Sequence, residues 1–113
     1  MAYNVFEKPF STIYPLYVEK VTKKGRTTDE LDSVIVWLTG YTLEELPHKI
    51  KEKTLAQFLQ EAPMNPNAQL ITGVVCGVRV ENIVDSLTQK MRYLDKVVDE
   101  LAKGKKLEKI MRS

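Results

Sequence analysis

Apolar residues recur at three- and four-residue spacing along most of the chain, the pattern of helices that bury one face. Ile13, Tyr14, Tyr17, Val18 and Val21 predict a first helix over about 12–24, ended by Gly25. Pro15 is tolerated if it falls in the opening turn, where its missing N–H has no helical partner. Leu31, Val34, Ile35 and Leu38, with Trp37 at the edge, predict a second helix after Thr28, closed by Gly40. Leu43, Leu46 and Ile50 mark a shorter element that Pro47 should bend or restart. Leu55, Phe58, Leu59 and Ala62 form another, stopped by Pro63. Leu87, Met91, Leu94, Val98 and Leu101 make the clearest stripe, widened by Tyr93 and Val97 and ended by Gly104. Leu107, Ile110 and Met111 predict a last turn or two folding back.

Helix starts are marked independently. In a capping box, a Ser or Thr and the Glu or Gln three residues later satisfy each other's backbone N–H. The signature occurs as Thr27–Glu30, Thr42–Glu45, Thr54–Gln57 and Ser86–Gln89, each opening an apolar run. Asn65 followed by Pro66 reads as one more cap and first helical residue.

Leu70 to Glu81 fits two periods. As a helix, Leu70, Ile71, Val74, Val75 and Val78 share a face and Gly73 and Gly77 share another; as a strand, Leu70, Thr72, Val74, Cys76, Val78 and Val80 share one. β-branched residues favour the strand, and two interior glycines cost a helix about 1 kcal/mol each. A strand needs a partner, however, and only Tyr3 to Phe6 look extended. The expectation is therefore a buried helix whose glycines let a neighbour approach. The fold class is all-α, a compact orthogonal bundle of about five to six helices, with residues 1–113 as a single helical domain.

Composition narrows the setting. The chain has 17 Lys and Arg against 15 Asp and Glu, and a net charge of +2 does not by itself imply a polyanionic partner. A single cysteine excludes an internal disulfide and suits a reducing cytoplasm. The longest nearly apolar run, 70–78, is far shorter than the roughly 20 residues of a membrane helix, and the N-terminus lacks the pattern of a signal peptide. The expected location is cytoplasmic, with no membrane partner.

Four segments are similar to a known bacterial family. They are K-P-F-S-T-I-Y-P-L-Y (Lys8 to Tyr17), V-I-V-W-L-T-G-Y (Val34 to Tyr41), A-P-M-N-P-N-A-Q-L-I-T-G-V-V-C-G-V-R-V-E (Ala62 to Glu81) and M-R-Y-L-D-K-V-V-D-E-L-A-K-G-K (Met91 to Lys105). On these the chain resembles the small proteins grouped as domain of unknown function 2200, and the block at Ala62 to Glu81 is the most specific. The resemblance implies a mainly helical bacterial protein. It brings no activity and no site residue, and Pro47 departs from the family pattern.

Candidate chemistry is sparse. Arg79 and Glu81 could line a charged pocket for an anionic or polar ligand, or form a buried ion pair or cap a neighbouring helix end. Asn65 and Asn67 could line a pocket, or hold a turn through local side-chain bonds. Cys76 has no base near it in sequence, and His48, the single histidine, lies in a polar stretch; the expectation is an inert thiol. No catalytic set, metal constellation or glycine-rich phosphate loop is present in the sequence, so no cofactor is expected. Glu19–Lys23, Glu45–Lys49 and Asp99–Lys103 read as solvated helical pairs. Two basic groups stand out: Lys20, Lys23, Lys24 and Arg26, then Lys103, Lys105, Lys106, Lys109 and Arg112.

The leading expectation is a binding or interaction module, a homo-oligomer or the receiver of a protein or small-molecule partner. The alternative is a nucleic-acid-binding domain, although a helix-turn-helix around Thr42 and Thr54 would lack Arg and Lys in its reading helix, 55–62. A further alternative is an enzyme with a pocket near Arg79 and Glu81.

Overall fold

The computed structural model describes residues 5–75 and 77–112. Its helices are α1 (Phe10–Thr22), α2 (Thr28–Thr39), α3 (Leu46–Glu52), α4 (Leu55–Glu61), α5 (Ser86–Ala102) and α6 (Leu107–Ile110). Short 3-10 turns span Val5–Glu7, Pro66–Leu70 and Val80–Asn82, and a small hairpin joins β1 (Val74–Val75) to β2 (Val78–Arg79). The fold is all-α, with α5 packed against α1, α2, α4, α6 and the hairpin.

Apart from the segment 70–81, each expected helix forms where its apolar stripe is found. Leu31, Val34, Ile35 and Leu38 of α2, and Leu94, Val97, Val98 and Leu101 of α5, are fully buried. Phe10 packs on Phe58 with ring centroids 4.3 Å apart, and the Tyr41 ring packs on Phe58 at 5.1 Å. The Tyr41 hydroxyl donates to the Phe58 carbonyl (2.8 Å), and burial, followed by the charges of Glu61 and Glu45, pushes its pKa up to about 12.

Local signals were read correctly at three caps and displaced at a fourth. Thr27–Glu30 and Thr54–Gln57 form complete boxes. Thr42 and Glu45 also exchange bonds (2.9 and 3.0 Å), but 43–45 is a turn and α3 restarts at Leu46, which places Pro47 in its first turn. Leu43 is consequently exposed, not an apolar contact. Glu45 is used in the box, and Lys49 lies over the Tyr41 ring at 5.5 Å. On α5 the cap is Asp85, whose carboxylate accepts from the Thr88 backbone and hydroxyl, while Gln89 donates to the Val80 carbonyl. Helix α1 begins two residues earlier than expected, so Pro15 sits in its second turn. The Ser11 carbonyl then lacks its helical donor at an exposed position.

The buried double-glycine helix over 70–81 is not formed. The segment leaves a 3-10 turn, folds into the hairpin with Val74 opposite Arg79 and Val75 opposite Val78, and enters another 3-10 turn. Its strand partner lies within the segment itself. Gly73 and Gly77 adopt φ of +108° and +78°, conformations a helix does not contain. Neither simple period describes the burial: Ile71, Val75 and Val80 face the core, while Leu70, Val74 and Val78 are exposed. Cys76 and Tyr3 lie outside the described residues, and Val5–Glu7 is a 3-10 turn.

Helices α1 and α5 run in parallel, because Tyr17 meets Asp95 and Lys20 meets Asp99 in the same order along both. At the opposite end of α1, Phe10 N–H donates to the Lys53 carbonyl and Leu55 N–H to the Lys8 carbonyl (both 2.9 Å), tying the start of α1 to the α3–α4 junction.

Candidate functional site

The block from Ala62 to Asn67 closes the end of α2. Gly40 takes φ +81°, and a Cβ there would meet Pro63 Cβ at 3.1 Å. Met64 N–H donates to the Thr39 carbonyl (2.7 Å) and Asn65 N–H to the Leu38 carbonyl (2.9 Å), satisfying two carbonyls that a helix end leaves open. Met64 reaches this position at φ +62°, the one non-glycine with positive φ among the described residues. The Asn65 carboxamide oxygen accepts from Asn67 N–H (2.8 Å) and caps the Pro66–Leu70 turn, as the Asn–Pro pair predicts. Asn67 in turn donates to the Arg112 carbonyl at 3.4 Å, holding the C-terminal segment.

Arg79 and Glu81 pair at 3.2 Å on the exposed side of the hairpin. The other Glu81 oxygen accepts from Gly73 N–H at 2.9 Å. That bond, then the residue's own backbone N–H and the Arg79 guanidinium, hold the Glu81 carboxyl below its ordinary range. The four sequence candidates therefore fall into two places. The asparagines join the end of α2 to the chain terminus; the ion pair braces the hairpin.

Two charged arrangements escaped sequence reading. Glu100 is buried on α5 and held by Arg112 through both oxygens (3.0 and 2.7 Å), with Lys105 at 3.3 Å and Lys96 at 3.9 Å. Lys96 also donates to the Val74 carbonyl (3.3 Å), so one lysine links this cluster to the hairpin. A signal existed: Tyr93, Val97 and Glu100 follow one another at four- and three-residue steps, which places an acid on a buried row.

The second arrangement is a polar seam along α1. Tyr14 donates to Asp32, Tyr17 donates to Asp95 (3.0 Å), and Lys20 pairs with Asp99 (3.4 Å). Burial raises the Tyr14 pKa, and the bond to Asp32 raises it further. Burial also lifts Asp95 above its ordinary value, against the bond from Tyr17 and the charge of Arg92. Asp99 is lowered instead: burial opposes ionisation, but Lys103 and Lys20 outweigh it. Every oxygen-bearing partner in this seam is occupied by another side chain, an arrangement that orders three helices.

Among the described residues, no group of His, Cys, Asp and Glu could hold a metal ion, and no helix is long and apolar enough to cross a membrane. The chain matches no curated protein. A crystal structure of an uncharacterized protein, SP1917, is similar to this chain with a TM-score of 0.90 and 36% identity, over 98% of this chain and 93% of that one. Residues 4–112 match the family described as an uncharacterized protein conserved in bacteria, domain of unknown function 2200. With a match of that extent and the same fold in a solved relative, the chain belongs to this bacterial family of unknown function.

Proposed function

We propose that the protein is a cytoplasmic binding module whose contact face is the hairpin region 70–84, used against a second copy of the chain. The observation that carries the reading is the concentration of exposed apolar side chains along this short segment. Leu70, Val74, Val78 and Val84 are 45%, 49%, 36% and 98% exposed, within a few turns of backbone. Leu16 and Leu43 are the other large apolar residues exposed among those described, and they lie on separate elements.

Charge supports a copy of the same chain as the occupant. Arg79 and Glu81 put opposite signs two residues apart on this face. A two-fold contact can then set each Arg79 against the Glu81 of the other copy while Val74, which shares the Arg79 face of the hairpin, closes on its counterpart. Sedimentation velocity tests the reading. The expected result is a dimer at about 100 µM, weakened at least tenfold by Val74→Glu and by Val84→Glu. A clean monomer at that concentration refutes it.

A further inference from the structure

We infer that the end of the molecule formed by the α1–α2 and α5–α6 connections is a docking surface for the phosphate backbone of double-stranded nucleic acid. The inference is independent of the hairpin contact. The two basic stretches, 20–26 and 103–109, lie far apart in sequence. The parallel packing of α1 and α5 brings their C-termini to the same end. Arg26 donates to the Lys105 carbonyl at 2.9 Å, and Lys20 and Lys103 hold the two oxygens of Asp99 at 3.4 and 3.0 Å. Both helices close alike: Arg26 N–H returns to the Val21 carbonyl and Lys105 N–H to the Glu100 carbonyl, each at 3.0 Å. Lys23, Lys24, Lys106 and Lys109 are left exposed around this junction.

The cations exceed what the fold needs. Each stretch contributes four and Arg112 a ninth, and the carboxylates set among them are Glu19, Asp29, Glu30, Asp99, Glu100 and Glu108. Two parallel helix C-termini add about one unit of negative dipole charge. About two positive charges remain uncompensated, so this end alone holds an excess equal to the +2 of the whole chain. Phosphates are the natural counter-charge. Neither stretch carries an aromatic residue, so base stacking is unavailable and a duplex backbone is favoured over a single strand. Neither carries an exposed large apolar side chain for inserting into a lipid surface.

The test is fluorescence anisotropy of a labelled DNA duplex titrated with the full chain. Binding should weaken about 40-fold between roughly 50 and 200 mM salt, a logarithmic slope of about −2.7, with about three of the four exposed lysines on phosphates. Lys24→Glu and Lys106→Glu should each weaken it about tenfold, while Lys51→Glu, on exposed α3 at the opposite end of α1, should change it less than twofold. Circular dichroism checks that all three variants keep their helices. No binding at about 50 mM salt, a slope flatter than about −1, or equal effects of the three substitutions overturns the inference. So does binding to phosphatidylserine vesicles with none to the duplex.

Discussion

Replacing Arg112 with alanine strips the buried Glu100 of its bidentate partner. The Arg112 and Glu100 side chains are only 16% and 8% exposed, and the two bonds are 3.0 and 2.7 Å. Removing one member of a buried pair costs roughly 3–5 kcal/mol when the remaining charge has no other partner. Here Lys105 stays at 3.3 Å and Lys96 at 3.9 Å, so part of the penalty is offset. We expect Arg112→Ala to lower stability by about 2–3 kcal/mol and the melting temperature by about 10 °C. Arg112→Lys keeps the charge but loses the fork, and should cost about half as much. Urea unfolding followed by circular dichroism measures both. Combined with Glu100→Gln, the Arg112→Ala loss should be smaller by about 1–2 kcal/mol than it is alone. An Arg112→Ala loss under about 0.5 kcal/mol, or strict additivity with Glu100→Gln, would refute the buried clamp.

Other substitutions separate the remaining contributions. Gly25→Ala meets only a positive φ, since nothing lies within 4 Å of its new Cβ, and should cost about 1 kcal/mol. Gly40→Ala adds the 3.1 Å contact with Pro63 and should cost about 2 kcal/mol or more; equal urea midpoints for the two would discount the Pro63 packing. Leu94→Ala, at a fully buried position, should lose roughly 2–5 kcal/mol, and a smaller change would remove it from the core. The two aspartates of α5 should behave oppositely with pH. Asp95 has a raised folded pKa, so the wild type should lose stability relative to Asp95→Asn as pH rises above the ordinary aspartate range. Asp99 has a lowered one, so its advantage over Asp99→Asn should be present at neutral pH and disappear as pH falls below that range. Urea midpoints from about pH 3 to 7 measure both, and curves of the same sign would contradict the assignment.

The helices and their order were legible because the signal is local. A stripe such as Leu31, Val34, Ile35 and Leu38 and a box such as Thr54–Gln57 are complete within a few residues, and the family resemblance followed from contiguous segments. The hairpin is not legible because Leu70 to Glu81 fits two periods equally, and what decides between them is two glycines at positive φ that turn the chain back on itself. Arg79 and Glu81 do pair, but on the exposed side and not buried, because the segment is a hairpin at the surface and not a core helix.

What the sequence determined alone was therefore the all-α fold class, most of the helix limits, the two basic stretches and the Asn65–Pro66 cap. Only tertiary structure decided that Arg26 meets the carbonyl of a residue 79 positions away, that Tyr17 meets Asp95 across 78, and that Arg112 closes on Glu100. Backbone hydrogen bonding and side-chain periodicity act over three or four residues and leave their imprint in order along the chain. Charge pairing acts through space, and its partners are named only once parallel packing of α1 and α5 has chosen which helix ends stand side by side.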